Sequence, residues 1–390
     1  LFAALRAQVA QAKANAPYFR ECLSDIEAEA ITDRTALAAL PVTRKSDLID
    51  LQAPGHTLGG LTTLPDGGLK RIFQSPGPTY DPEGFGDDWW RTARALHAAG
   101  FRHGDVVHNT FSYHLTPAGA MMEAGAHALG CAVVPAGVGN TDLQVQAITH
   151  IRPTAYCGTP SFLKILLDKA AELGADVSTL ARASVGAEPF LPDQRAAFEA
   201  AGIEAYNIYA SADIGLIAYE SPAREGLILD EGLILEIVTP GTGDPVPEGQ
   251  VGEVVLTMPF NREYPLIRFA TGDMSAVMAG ESPCGRTNMR IKGWMGRADQ
   301  TTKIKGMFVR PEQVAALVAK HPEIDRARVI ASREGEMDVM TVRIETEADS
   351  PETYAGTVAD VLKLKGKVEL VKPGGLPRDG VVIEDTRSYD

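Results

Sequence analysis

The sequence predicts an α/β protein with two parts. The larger is an N-terminal domain of parallel sheet flanked by helices, with a β-rich portion. The smaller is an α+β C-terminal domain. Three observations carry this reading. Between residues 83 and 209, short apolar runs alternate with helical segments, and such strands pair in parallel through right-handed crossovers. Around 232–258 the rhythm changes: β-rich runs at 233–238 and 252–257 flank Gly241-Thr242-Gly243-Asp244-Pro245, a turn cluster that implies antiparallel pairing. Beyond 299 a third pattern begins, with a helix over 311–319, strands over 328–331 and 339–344, a helix over 351–362 and a strand over 368–371. That last stretch, roughly ninety residues, has the size of a small domain. The expected division is 1–298 and 299–390.

Composition supports a full core. The chain has 390 residues, 45% of them hydrophobic, and a formal net charge of −14. That balance argues against nucleic acid or an anionic membrane as the main partner. Cys22, Cys131, Cys157 and Cys284 lie far apart and form no CxxC pair, which suits reduced thiols in a cytoplasm. The most apolar run, 118–138, is broken by Glu123, His127 and Pro135, so it reads as a buried helix and strand and not as a membrane span. No signal peptide is read. Because the chain begins at Leu1 rather than Met, preceding sequence is expected.

In order, 1–13 has helical spacing, and Thr43 in Pro41-Val42-Thr43-Arg44-Lys45 suits a capped turn. Phe73 to Pro82 is a Pro/Gly loop in which Ser75, Gly77 and Thr79 offer hydroxyls and a backbone amide that could converge on phosphate. Pro76 and Pro78 remove two N–H donors from it. Helices follow over 84–99, 117–128, 141–150, 160–173 and 192–201. Strands follow over 105–110, 132–135, 155–158, 183–185 and 204–209.

Ligands on such a sheet lie beyond the carboxyl ends of its strands. Tyr113 and His114 follow the first strand. Gly137 and Gly139 follow the second, Gly158 to Ser161 the third, Gly186 to Pro189 the fourth, and Ala210, Ser211 and Asp213 the fifth. Tyr113 reads as a flat wall of a substrate pocket. His114 reads equally as a base and as pocket lining. Further on, apolar residues lead into Thr271-Gly272-Asp273, a tight turn presenting one carboxylate. Such a group can accept hydrogen bonds from two vicinal hydroxyls, as a ribose offers. Arg297 and Asp299 flank a small residue soon after, followed by Lys303, Lys305 and Gly306.

These motifs, in this order, resemble those of the adenylate-forming superfamily, in particular its phenylacetate–CoA ligase branch, over most of the chain from Pro41 to Gly380. The resemblance implies that Asp273 holds the ribose and Arg297 supports the nucleotide. Asp299 would be the pivot of a mobile C-terminal domain. Gly186, Ala187, Glu188 and Pro189 match the adenine loop, and Tyr206, Asn207, Tyr209, Ala210 and Ser211 match the adjoining nucleotide motif. Asp213 stands where the family has a glutamate for Mg²⁺. Being one methylene shorter, it implies a bridging water to the metal. Ser75, Gly77 and Thr79 occupy the phosphate loop, and Lys305 and Gly306 the thiol side.

Two departures stand out. The family's catalytic lysine near the end is absent around Val381, and no lysine follows Lys372. A cysteine-rich zinc element found in relatives is reduced to Cys284, with Ser221, Ile228 and Ser282 at the matching places, so no zinc is expected. The implied cofactors are ATP or AMP, Mg²⁺ and CoA. The implied partners are a small carboxylic acid and a thiol, from CoA or a carrier protein. A homodimer stays open. Two activities follow as expectations: a CoA ligase that makes an acyl-adenylate and transfers it, or a degenerate homologue that binds AMP, acyl-adenylate or acyl-CoA without adenylating. The departures lie on the phosphate side, so adenylation is expected to run slower than thiol attack.

Overall fold

The computed structural model describes residues 1–75, 79–295, 298, 302–305, 307–309, 311–334, 337–377 and 382–387. It divides into two compact units, Leu1–Met295 and Gly296–Asp390.

The first unit opens on helix Phe2–Asn15. Its buried Leu5, Val9 and Ala12 follow helical spacing and seat it in the core. Strand β1 is Thr43–Arg44, and β2 (Arg71–Ser75) and β3 (Thr79–Glu83) form an antiparallel hairpin. Most of the Pro/Gly loop expected over 73–82 is therefore strand: 73–75 belong to β2 and 79–82 to β3, with Ser75 opposite Thr79. Thr43 does not cap a turn. It lies in β1, and its hydroxyl donates to the Tyr18 hydroxyl at 3.1 Å.

Five parallel strands come next: β4 (Val106–Asn109), β5 (Ala132–Pro135), β6 (Ala155–Gly158), β7 (Arg182–Gly186) and β8 (Glu204–Ser211). Then β9 (Gly215–Glu220) and β10 (Leu227–Leu229) turn antiparallel. Strands β11 (Ile234–Val238), β12 (Gly252–Thr257) and β13 (Phe269–Ser275) form the β-rich part. The short β14 (Val277–Met278) and β15 (Arg290–Ile291) complete the larger sheet, whose order is β14-β15-β10-β9-β8-β7-β6-β4-β5. The second sheet runs β1-β13-β12-β11.

The larger sheet is covered on both faces. Along β6, Ala155 and Cys157 pack with Leu96, Met122 and Ala126, while Tyr156 packs oppositely with Val145, Leu163 and Leu166. That alternation is the two-residue period of a strand. The helix Pro160–Leu173 shows how sharply its limits are written. Thr159 accepts from the Phe162 amide at 3.2 Å, proline occupies the first turn, and Gly174 ends it at φ +64°.

One expected helix is much shorter. Of 84–99 only Ala93–Ala98 is helical. Asp88 accepts from the amides of Thr92 and Ala93, both at 2.9 Å, and Arg91 is left-handed at φ +65°. The residues before it instead pack Trp90, fully buried, beside Phe73.

The second unit holds β16 (Thr302–Ile304), β17 (Met307–Val309), β18 (Arg326–Glu334), β19 (Met337–Glu345), β20 (Lys367–Val371) and β21 (Ile383–Asp385). Helices Pro311–Lys320 and Glu352–Leu362 pack on it through Val314, Leu317, Tyr354 and Val358. Its sheet order is β20-β19-β18-β21. Strands β18 and β19 are longer than their apolar centres predicted.

Candidate active site

The strand ends of the first unit build one side of the site from groups that are already satisfied. Gly186 closes β7 where a side chain cannot fit, since a Cβ would lie 2.6 Å from the Ile208 carbonyl oxygen. Ala187 follows at φ +66°, a left-handed conformation that an L side chain adopts only when its surroundings enforce it. The turn aims Glu188 at the start of helix Pro160–Leu173, where its Oε1 accepts from the Ser161 amide at 2.6 Å. A carboxylate is favoured at that end of a helix dipole. Pro189 follows, half-buried.

Strand β8 brings Tyr206, Asn207, Tyr209, Ala210 and Ser211 alongside. Glu220 on β9 accepts the Asn207 amide at 2.9 Å and both oxygens engage Arg195 at 2.9 Å. Asp273, midway in β13, is the junction. Its Oδ2 accepts from the Tyr209 hydroxyl at 2.7 Å and its Oδ1 from the Trp294 indole at 3.1 Å. The tight turn expected at Thr271-Gly272-Asp273 is instead an irregular stretch inside β13, where the register with β12 shifts and Gly272 is left-handed at φ +76°; the Thr271 hydroxyl accepts from the Asp273 amide at 3.1 Å.

Behind it stands Arg268, buried to 2%. It pairs with Glu236 at 3.1 Å and donates to the carbonyls of Ala38, Leu40 and Gly243 at 2.6–2.7 Å. These contacts tie the N-terminal segment and the β11–β12 turn to β13.

The other side is a charge cluster. Asp213, in the β8–β9 turn, is buried to 1%. Its Oδ2 accepts from the Lys45 ammonium at 2.5 Å. Strand pairing explains the meeting: β1 runs parallel to β13 with Arg44 opposite Ala270, which carries Lys45 towards the Asp273 end of β13. Asp81 on β3 is fully buried and accepts from the Ser75 hydroxyl. Burial, and then the neighbouring charge of Asp213, push its carboxyl well above the usual range. Burial alone would lower Lys45, but Asp213, Asp81 and Asp273 outweigh it and hold the ammonium above its ordinary value. Thr79 is buried beside Ser75, and Gln52 clamps the Tyr80 backbone at both N–H and C=O.

The expected substrate loops are anchored by side chains that no sequence pattern announced. Gln144 donates to the carbonyls of Gly137 and Gly139 at 2.9 and 2.8 Å, and its Oε1 meets His108 at 2.8 Å. Both glycines are left-handed with open space at the Cβ position. Tyr113 is locked between Asn109 and Glu123, each at 2.8 Å, and burial with that carboxylate pushes its phenol up. His114 is exposed.

Gly77, Arg297, Asp299, Gly306 and the region of Val381 lie outside the described residues. Lys305 is exposed, at φ +49°, and its amide donates to Asp338 at 3.2 Å. Cys284 meets Ser282 at 3.0 Å and Arg286 at 3.7 Å. Burial would raise its thiol, but donors from Ser282, Ser221 and Arg286 bring it down to about 6.

The arrangement suits one chemistry. Asp273 presents a carboxylate held by the Tyr209 phenol and the Trp294 indole, and the Gly186–Pro189 turn follows β7, the strand paired with the one that carries Tyr209. Lys45, Ser75, Asp81 and Asp213 gather charge at the hairpin. Among the described residues no group of three or more His, Cys, Asp or Glu side chains could hold a metal. Magnesium, however, is commonly held by one or two carboxylates together with substrate phosphates, and the hard oxygens of Asp213 and Asp81 fit that pattern. Sequence reasoning missed Lys45, Asp81, Trp294 and Gln144. Only Lys45 carried a signal, as part of the Pro41–Leu48 motif.

Comparison with known proteins agrees with this geometry. Residues 88–261 match the family described as AMP-binding enzyme. A phenylacetate-coenzyme A ligase from Aromatoleum evansii is 32% identical over 369 residues, covering 90% of this chain and 81% of that protein. One from Thermus thermophilus is 31% identical over 414 residues, covering 96% and 92%. Among solved structures, a 2-hydroxyisobutyryl-CoA ligase in complex with 2-HIB-AMP and CoA superposes with a TM-score of 0.79 at 24% identity, covering 100% of this chain and 89% of that one. The amide bond synthetase McbA from Marinactinospora thermotolerans superposes at 0.55 with 19% identity, covering 80% and 68%. These two likenesses show the shared fold.

Proposed function

The chain belongs to the phenylacetate–coenzyme A ligase family, and on that premise we propose that it joins an aryl or acyl carboxylate to coenzyme A in two ATP-dependent steps. A carboxylate oxygen of the acid attacks the α-phosphorus of ATP, the bond to the β-phosphate oxygen breaks, and pyrophosphate leaves. The thiolate of CoA then attacks the acyl carbon, and AMP departs with the bonding pair. Positioning and charge neutralisation carry most of such catalysis.

The observation that supports this best is Asp273. It is held at both oxygens, and Glu188 in the turn after β7 is likewise engaged. Adenosine recognition of that kind serves both steps. Asp213 and the hairpin residues Ser75 and Thr79 serve only the first, where Mg²⁺ would shield phosphate charge. Asp299 is the proposed pivot of the second unit, with Arg297 on the nucleotide and Lys305 and Gly306 on the thiol side. Tyr113, His114, Gly137 and Gly139 are proposed to border the acid. The thiol is that of CoA, by analogy with the relatives. No helix among the described residues is long and apolar enough to cross a membrane, and we place the protein in the cytoplasm.

The test is to measure the half-reactions separately, with phenylacetate and a panel of aryl and short-chain acids. ATP–pyrophosphate exchange should appear with at least one acid, and synthetic acyl-adenylate should yield the CoA thioester. Because Val381 lies where the resemblance places the family's catalytic lysine, exchange should be the slower of the two. Neither exchange nor thioester with any acid would overturn the assignment.

A further inference from the structure

The cluster at the hairpin holds buried carboxyl oxygens that lack partners, and this inference rests on the adenylating function proposed above. Three elements converge there. Lys45 arrives from the turn after β1, Asp81 from β3, and Asp213 from the β8–β9 turn. Thr79 and Asp81 are two apart on one strand and share a face. Ser75, opposite Thr79, donates into Asp81.

The two carboxyls are close enough to interact directly. Both are at least nine-tenths buried, and each retains an oxygen, Asp81 Oδ1 and Asp213 Oδ1, with no hydrogen-bond donor. The Thr79 hydroxyl and the Tyr264 phenol are buried nearby, also unpartnered. One ammonium thus faces two carboxyl groups, and Asp273 acts on it as well. Buried charges persist when paired or when they coordinate a metal. Lys45 is not walled in, since its side chain keeps 26% of its surface exposed. It can leave along its own flexible stem.

We propose that Asp81 and Asp213 are the two protein arms of a divalent-cation site, and that Lys45 is its resident counter-ion, displaced when the cation enters with the nucleotide. The charge balance closes once any proton on Asp81 is released as the cation enters: two carboxylates then meet a dication, and the displaced ammonium turns to the phosphate oxygens. Asp81 thereby compensates for the shortness of Asp213, and Lys45 supplies a positive charge from within the first unit.

Manganese binding tests this directly. Mn²⁺ is titrated by electron paramagnetic resonance into the protein, alone and with the α,β-methylene analogue of ATP. Wild type, Asp81→Asn and Lys45→Met are compared, with AMP binding measured on each. Asp81→Asn should weaken Mn²⁺ in the nucleotide complex by roughly ten-fold or more, the scale at which supporting groups alter metal affinity. It should leave AMP binding unchanged. Lys45→Met should bind Mn²⁺ more tightly than wild type without nucleotide, because the competitor is gone, and should bind the triphosphate analogue more weakly. A purely structural ion pair would produce no such tightening. AMP binding intact in all three proteins, with Mn²⁺ affinity indifferent to Asp81→Asn, overturns the proposal: the pair then merely shares a proton. Absence of AMP binding in the wild type overturns the underlying functional reading instead.

Discussion

Asp273 and Asp213 sit on neighbouring elements of one unit, yet their surroundings differ in kind. Asp273 receives a phenol and an indole, one on each oxygen, and its strand is braced by Arg268. Asp213 receives a single ammonium from a lysine 168 residues away and keeps an unpartnered oxygen beside the equally unfinished Asp81. On the adenosine side a phenol and an indole already hold Asp273 in place. The phosphate side is balanced by a mobile charge, so its completion waits for what it binds. A two-step enzyme has reason for this division. The nucleoside is held throughout, whereas pyrophosphate and its cation must leave after the first step.

The largest effect should come from cutting the brace. Arg268→Met strands Glu236 and removes three carbonyl contacts, so it should destabilise the unit by about 3–5 kcal/mol, as breaking a buried ion pair does. Denaturant unfolding checks this. A smaller loss would mean that β13 is held by its ladder alone. Asp273→Ala should weaken AMP by about 1–3 kcal/mol, the range for hydrogen bonds to a charged group, read by calorimetry. A loss of manganese affinity in that variant would erase the distinction between the two sides. Trp294→Phe should have the least effect, weakening AMP by about 0.5–1.5 kcal/mol through one lost donor. An effect equal to that of Asp273→Ala would make the indole, and not the carboxylate, the principal contact.

The parallel strands were legible because apolar runs and their punctuation are local. Ala155 to Gly158 and its helix, with Thr159 before and Gly174 after, can be read from a window of twenty residues. The stretch 84–99 misled because its apolar residues pack Trp90 inward through turns, and Asp88 starts the helix late. The glycine and aspartate landmarks of the site were legible as motifs. Their partners were not: Lys45 reaches Asp213 only through the parallel pairing of β1 with β13, and Trp294 reaches Asp273 across 21 residues. Such contacts have no period. Neither did Asp81 stand out, since an aspartate beside a proline reads first as a turn.

The central claim is that nucleoside recognition is complete without a cation and phosphate recognition is not. Parallel titrations of AMP and of the α,β-methylene analogue of ATP, each with Mg²⁺ and with chelator, test it most directly. AMP affinity should stay within about two-fold in the two conditions, while the triphosphate should lose at least about ten-fold under chelation, the scale of a disrupted metal site. AMP binding that falls with chelation as steeply as the triphosphate, or triphosphate binding that ignores the cation, would contradict the account.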